Sequence, residues 1–502
     1  MINLLLEGAI EKGLNRRMIQ KALDEVKPDH VYIVVCLREE LKYYQDLGTC
    51  YLREDIARGI FTDEQWDLEE CVPLEDAVFE YMNPYVIEIL NQQRRFEQRY
   101  DFQISNTWES HYTIYMNNLF FWNNMLERKQ ITHVFFTRIP HEGYGSIIYH
   151  LCKMKNIPVM MEFASLIPHR DYELTDYMRS DEAIREEYER LQALYADAPV
   201  EEIELEGNTK EEFEKWTSLD PAQMKPSYMK GNKLRQTFRA RYGETNLIRV
   251  WRGILGKEYE KHGMGIGFIG ASLKKIPALL GAIPSTYRQW NYARPYWKET
   301  KAVNAFYEKV SEMPVPGEKY IYFALHYQPE ATSNPLGGGA YTDQIFPLRI
   351  LCRSIPEDVH VYVKAHPAQL AFFGGISYYQ DMLRLPCVRL MKMECSTYEL
   401  IKNAFAVASL TGTACWESQF YGVPAILFGY SYKNASPLSY HVRTVKACKE
   451  AIESIEKHEK TVTLKDLKLY TKAAHNLSYH VSERSRVFPE LIVKLVRENP
   501  VG

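Results

Sequence analysis

Short runs of apolar, often β-branched residues recur along the chain and alternate with longer stretches whose apolar positions repeat at helical spacing. HVYIVV (30–35), THVFFT (132–137), IPVMMEF (157–163), KYIYFAL (319–325), HVYVKAH (360–366), AFAVASL (404–410) and PAILFG (424–429) each read as a strand. Their nearly unbroken apolar character, in place of strict alternation, predicts strands covered on both faces, as parallel strands are. GSIIYHLCKMKN (145–156), TDQIFPLRILCRSI (342–355) and STYELIKNA (396–404) read as helices between them. The resulting βαβα order predicts the α/β class. The strands fall into two groups, at 30–163 and 319–429, so two doubly wound domains with a long insertion are expected. The boundaries follow: an N-terminal Rossmann-like domain over 1–170, a charged and mainly helical insertion over 171–312, a second Rossmann-like domain over 313–450, and C-terminal helices over 451–502 that cross back to the first. MPVPGEK (313–319) is the expected linker before the second group.

Composition narrows the class without changing the fold. A chain of 502 residues with 46% hydrophobic and 25% charged residues has the profile of a folded globular protein with ample core. Its net charge of −4 supplies no global basic field, so nucleic acid is not an expected partner. The charge is unevenly distributed. Residues 171–214 carry 16 acidic and 4 basic side chains, and residues 225–301 carry 16 basic and 4 acidic. The two blocks either face one another or simply solvate opposite surfaces, or the basic one meets an anionic polymer or peripherally contacts an anionic membrane. The nine cysteines are odd in number and contain no CxxC pair, which disfavours a disulfide framework or a zinc ribbon and fits a reducing cytoplasm. No metal site is expected. The apolar run before Glu7 is too short for a signal-peptide core, and no stretch approaches the roughly 20 apolar residues of a membrane span. A cytoplasmic location is expected.

Candidate chemistry clusters after the strands of the second group, where ligands of open α/β sheets bind. HYQPEATSNPLGGGAYTDQ (326–344) is a polar, glycine-rich loop that places Gln328, Glu330 and Asn334 toward a cleft. The next strand ends in KAHP, so Lys364 and His366 sit at its terminus and Pro367 fixes the chain that follows. A cationic or hydrogen-bond-donating pair there suits a phosphate. In ASLTGTACWESQFYGVPAILFGY (408–430), Ser409 ends a strand and Thr411, Gly412 and Thr413 form a turn that opens a helix, an anion site in principle. Glu417, one turn later, is in reach of a ribose hydroxyl. In the first group, RIPHEGYGSIIYHLC (138–152) sets His141 and Glu142 in a strand-to-helix turn, where either is suited to take a proton from an acceptor hydroxyl. His169, Arg170 and Asp171 follow strand 157–163 near the same rim, for sugar recognition or loop packing.

The ordered set FALHYQPEATSNPLGGGAYTDQ, IPEDVHVYVKAHPAQ and STYELIKNAFAVASLTGTACWESQFYGVPAILFGYSY resembles the bacterial capsule polysaccharide biosynthesis family, which includes Kdo transferases, over about residues 315–435. More distantly, its HP step and Ser/Thr turn are similar to the CMP-binding motifs of bacterial GT-B sialyltransferases. Two departures stand out: Ala365 where related sequences carry Glu in KEHP, and Thr-Gly-Thr where the sialyltransferases carry paired serines. The turn with His141 and Glu142 is similar in context to the acidic motif whose first residue is their general base; here that position is His141. The resemblance implies a metal-independent GT-B glycosyltransferase of surface-polysaccharide synthesis. Its donor would be a nucleotide sugar, foremost a CMP-activated 2-keto sugar acid, with no other cofactor, and its acceptor a glycan or lipid-linked glycan. The alternatives are a CDP-polyol phosphotransferase or a UDP-sugar enzyme of the same fold, and a non-catalytic polysaccharide-binding assembly protein.

Overall fold

The computed structural model describes residues 1–62, 72–100, 107–220, 276, 277, 280, 298, 299, 301–328, 330–366, 369 and 375–501, the side chains of 94–100 excepted. Nearly all of the basic block 225–301, together with Pro367, lies outside the described residues.

Thirteen strands are present among the described residues: β1 (Asn3–Ala9), β2 (His30–Val35), β3 (Thr49–Leu52), β4 (His133–Phe136), β5 (Val159–Ala164), β6 (Arg170–Leu174), β7 (Lys319–Ala324), β8 (Val359–Lys364), β9 (Val388–Leu390), β10 (Ala406–Ser409), β11 (Ala425–Leu427), β12 (Ser439–His441) and β13 (Tyr479–His480). They form two sheets, ordered β13-β6-β5-β4-β1-β2-β3 and β12-β11-β10-β7-β8-β9. The second is parallel throughout; the first is parallel except at β6, which runs antiparallel to both β5 and β13. The α/β class with two doubly wound sheets is therefore the observed architecture. All seven strands read from the apolar runs are present: β2 keeps the full run 30–35, and the other six lose one to three residues at their ends, with β5 and β8 each also extending by one residue.

The first sheet is built around a strand that its composition disguised. NLLLEGA, whose apolar run is too short for a signal-peptide core, is β1, the central strand, buried along its whole length. Leu5 joins the core on one face with Phe136 and Ile147, while Leu4 and Leu6 face the helices Arg16–Val26 and Arg484–Glu498 on the other. The first sheet also takes β6 from beyond residue 170 and β13 from the C-terminal stretch, which carries the chain back onto it. Arg484, at the start of the last helix, pairs with the buried carboxylates of Glu162 (2.8 Å) and Asp171 (2.7 Å). The segment His169–Asp171 thus serves the sheet: Asp171 holds Arg484, and the Arg170 guanidinium donates to Ser478.

The halves share a core. Trp416, Tyr432 and Leu336 of the second half lie in the same apolar cluster as Trp216 and Tyr470, with Trp416 edge-on to Trp216 at 5.6 Å. One disulfide is present among the described residues, Cys352–Cys387, with Cα atoms 5.9 Å apart, a single link in place of a framework. Cysteine count and spacing carry no sign of it, because the pair is made by the fold, which brings the end of helix Ile345–Cys352 beside the start of β9. The other described cysteines are free. No helix among the described residues is long and apolar enough to cross a membrane.

Candidate functional site

In the second sheet the strand order reverses between β7 and β10, so the loops leaving these neighbours turn to opposite faces and open a crevice beyond their carboxyl ends. His326, just after β7, meets the turn after β10 there. Its Nε2 accepts the Thr411 N–H (3.1 Å), and the Ser409 hydroxyl lies between this nitrogen (3.1 Å) and the Ala324 carbonyl (2.9 Å). An imidazole nitrogen that accepts a backbone N–H carries no proton, so the proton is on Nδ1. That atom has no hydrogen-bond partner among the described residues. Burial, with Lys433 and His366 adding repulsion, pushes the His326 pKa down to about 3, so the ring is neutral at physiological pH. Gly412 is required by this contact: a Cβ there would stand 2.7 Å from the Ser409 Oγ.

Beneath the turn lie two buried ionisable side chains, Lys433 and Glu417. The Lys433 ammonium donates to the Thr411 carbonyl (3.0 Å) and lies 4.5 Å over the Tyr432 ring. Burial draws its pKa down to about 8, opposed by Cys415 and Glu417. Buried Glu417 is pushed up to about 7, against the Thr413 hydrogen bond and the Lys433 charge. The helix that Thr411–Thr413 were expected to open spans only Ala414–Glu417, so its dipole is slight and the cationic contribution at the turn comes from Lys433. The Thr411 hydroxyl donates to the Thr332 carbonyl (2.7 Å) and ties the turn to loop 326–344.

The remaining predicted residues divide. His366 is half-buried at the end of the neighbouring strand, 5.9 Å ring to ring from Tyr327, and burial pulls its pKa down to about 4. Lys364 is buried, and its ammonium donates to the Cys395 carbonyl (2.5 Å) and the Thr397 hydroxyl (3.2 Å). Gln328 donates to the Thr342 carbonyl (2.8 Å) and exchanges two bonds with the Gln369 side chain (2.8 and 3.0 Å), which shape the loop. The Glu330 carboxylate accepts the Thr332 hydroxyl (3.3 Å). Asn334 reaches across to the first half: it accepts from Gln92 (2.8 Å) and donates to the Glu88 carbonyl (3.1 Å).

Gln92 continues that link. Its Oε1 accepts the Gly143 N–H (3.0 Å) and the Ser146 hydroxyl (2.7 Å), joining loop 326–344 to the turn that holds His141 and Glu142. Gly143 has φ +69, and a Cβ there would meet the Gln93 side chain at 2.6 Å, so only glycine suits this turn. His141 and Glu142 both line a cavity of about 100 Å³ beyond the carboxyl ends of β1 and β4, where the first sheet reverses its own strand order. The His141 Nδ1–H donates to the Ile139 carbonyl (2.6 Å), and the Glu142 carboxylate faces the Arg53 guanidinium at 3.7 Å. Sequence reasoning passed over His326, Lys433 and Gln92. His326 was signalled as the first polar residue after an apolar strand; Lys433 and Gln92 carry no local signature.

No protein family matches the chain by sequence, and no curated protein does. Among solved structures, the chain is similar to the UDP-GlcNAc 2-epimerase of Methanocaldococcus jannaschii at 12% identity, over 98% of this chain and 99% of that one, with a TM-score of 0.23. It is also similar to a β-Kdo 2,7 transferase, KpsC of Thermosulfurimonas dismutans, at 10% identity over 81% and 96% of the two chains, TM-score 0.27. A third is Anabaena Alr3699/HepE in complex with UDP-glucose, at 8% identity over 98% and 100%, TM-score 0.28.

Proposed function

We propose that this protein is a nucleotide-sugar-dependent glycosyltransferase of bacterial surface-polysaccharide synthesis, its donor a CMP-activated 2-keto sugar acid such as Kdo. The observation that carries this reading is the meeting, at the switch point of the second sheet, of His326, bonded through Nε2 and with its Nδ1–H left over, with the Ser409–Thr413 turn above buried Lys433 and Glu417. Hydrogen-bond donors and a buried cation at such a crevice suit a phosphate leaving group. As the anomeric C–O bond breaks, positive charge grows on the sugar and negative charge on the phosphate. His326, His366 and the Thr411–Thr413 turn stabilise the phosphate, Lys433 supplies fixed positive potential, and Glu417 takes a ribose hydroxyl. The acceptor, a glycan or lipid-linked glycan met in the cytoplasm or at the inner membrane surface, enters from the first sheet. There a group of the β1/β4 cavity removes its proton, with His141 and Glu142 the groups favoured by sequence.

A thermal-shift panel of CMP, CDP, UMP, UDP and GDP tests the donor. A ligand at 100 times its dissociation constant adds about 2.7 kcal/mol of stability, so binding is easily seen. Selective stabilisation by CMP, followed by CMP release from CMP-Kdo that His366→Ala abolishes, is expected. A preference for UDP replaces the donor, and silence across the panel overturns the reading.

A further inference from the structure

The switch point of the first sheet holds a carboxylate placed as few buried carboxylates are. In β1, side chains alternate between the two faces of the sheet, so Glu7 falls on the face of Leu5, at the carboxyl end of the central strand. The ladder slips at this point: Glu7 pairs with Val34 and Ala9 with Val35, leaving Gly8 as a bulge with φ +93. A Cβ on Gly8 would stand 2.0 Å from the Thr137 hydroxyl, so glycine alone lets the ends of β1 and β4 close together here. Bulges of this kind re-aim the adjoining side chain. Glu7 is only 9% exposed and lines the cavity beside His141 and Glu142. Its Oε1 accepts the Tyr144 hydroxyl at 2.6 Å, and its Oε2 has no partner among the described residues.

A carboxylate half-satisfied at the carboxyl end of a central strand costs free energy, offset only in part by the Tyr144 hydrogen bond. The groups facing it are Tyr144 and Glu142 from the turn and helix after β4, Arg138 from the end of β4, Arg53 after β3 and Cys36 after β2. Burial and the Glu142 charge raise the Glu7 pKa; the Tyr144 hydrogen bond, Arg53 and Arg138 hold it down. Cys36, pushed up to about 12 by burial, stays a neutral thiol. Guanidinium and carboxylate groups together suit a polyhydroxylated ligand, whose hydroxyls accept from one and donate to the other.

We propose that Glu7 is the general base of this cavity, its Oε2 taking the proton of the acceptor sugar's attacking hydroxyl, with Tyr144 holding the carboxylate in place. The proposal rests on the transferase reading. The acceptor oxygen forms its bond to the anomeric carbon as its proton passes to Oε2. The bond from that carbon to the nucleotide phosphate breaks, and its electron pair leaves with the phosphate. Glu7 then returns the proton to water when product departs. His141, its ring tied to Ile139, and Glu142, paired to Arg53, shape the cavity.

The test measures CMP release from CMP-Kdo, whether a sugar or water takes the Kdo, alongside CMP binding and thermal stability. Glu7→Gln is expected to slow release by about 100- to 10,000-fold, the range of a lost general base, while CMP affinity stays within about twofold and the melting temperature does not fall. Glu7→Asp is expected to restore part of the rate. Tyr144→Phe removes the hydrogen bond that favours the charged carboxylate, so the acid limb of kcat/KM moves to higher pH, a shift that a merely structural role would not produce. A folded Glu7→Gln variant with near wild-type release, or an unmoved acid limb, overturns Glu7 alone. A wild type that binds CMP but releases none from the donor also overturns it, and a wild type that binds no CMP overturns the donor reading beneath it.

Discussion

His326 shows how much one side chain determines at the second switch point. Its Nε2 is the acceptor for the Thr411 N–H, so His326→Ala leaves that buried donor unsatisfied. We expect a loss of about 1–3 kcal/mol in urea unfolding, the cost of orphaning one buried polar group, together with at least a tenfold weaker response to CMP, about 1.4 kcal/mol. The direction of its pH dependence is fixed by the same contacts. The native pKa lies at about 3, below the ordinary 6.5, so between these values the unfolded chain binds a proton that the native one does not. His326 therefore contributes stability above pH 6.5 that is lost as pH falls toward 3, and His366 (about 4) and buried His150 (about 3) act in the same sense. Replacing His326 is expected to flatten the acid side of the stability profile, read as melting temperature from pH 7 to 4.

Among elements, the last helix, Arg484–Glu498, closes the first domain. Its apolar face, with Phe488, Leu491, Ile492 and Leu495, covers the Leu4/Leu6 side of β1, and Arg484 holds Glu162 and Asp171 together where β5 meets β6. Arg484→Met leaves two buried carboxylates facing each other without a cation. About 3 kcal/mol of destabilisation is expected, the low end for a broken buried pair because Arg484 is about a third exposed. Chemical denaturation checks this, and a loss below about 1 kcal/mol would show that the carboxylates share a proton without needing the cation. The strand runs of this region were legible because buried parallel strands are apolar from end to end. β6 and β13 were not: RDYEL mixes charged with apolar residues, and the two-residue edge strand β13 exists only through its pairing with β6 across more than 300 residues.

At the scale of the molecule, the two halves meet through a buried polar link as well as the tryptophan-rich core. Glu88, 3% exposed, lies in it: its carbonyl accepts from Asn334, and its carboxylate interacts with the Gly339 backbone. Burial raises its pKa to about 8 from an ordinary 4.5. The native state thus holds a proton that the unfolded chain has released, so the stabilisation is complete below pH 4.5 and is lost as pH rises through 8. In Glu88→Gln this loss is absent, and the melting temperature of the variant relative to wild type is expected to rise steadily between pH 4.5 and 8. Parallel profiles would show that Glu88 is ionised in the folded protein. Because Gln92 joins Asn334 to the Gly143 turn, the same link ties loop 326–344 to the turn that lines the first cavity.

Hydrophobic periodicity alone determined the α/β class, the two sheets, and the loops at which the second sheet's chemistry collects, because burial on both faces and the need for turns are written locally. NLLLEGA defeated that logic: this short apolar run is the central strand, and the Glu that interrupts it stands at the mouth of a cavity. Asn334 and Lys364 show the converse, since residues well suited to a ligand are occupied by Gln92, Cys395 and Thr397. Strand order decided what remained. Which carboxyl ends lie side by side depends on β7 neighbouring β10 and β1 neighbouring β4, pairings between segments about 80 and 125 residues apart along the chain. Sequence fixes the residue at the end of each strand, but only the folded sheet selects the pair that opens into a crevice.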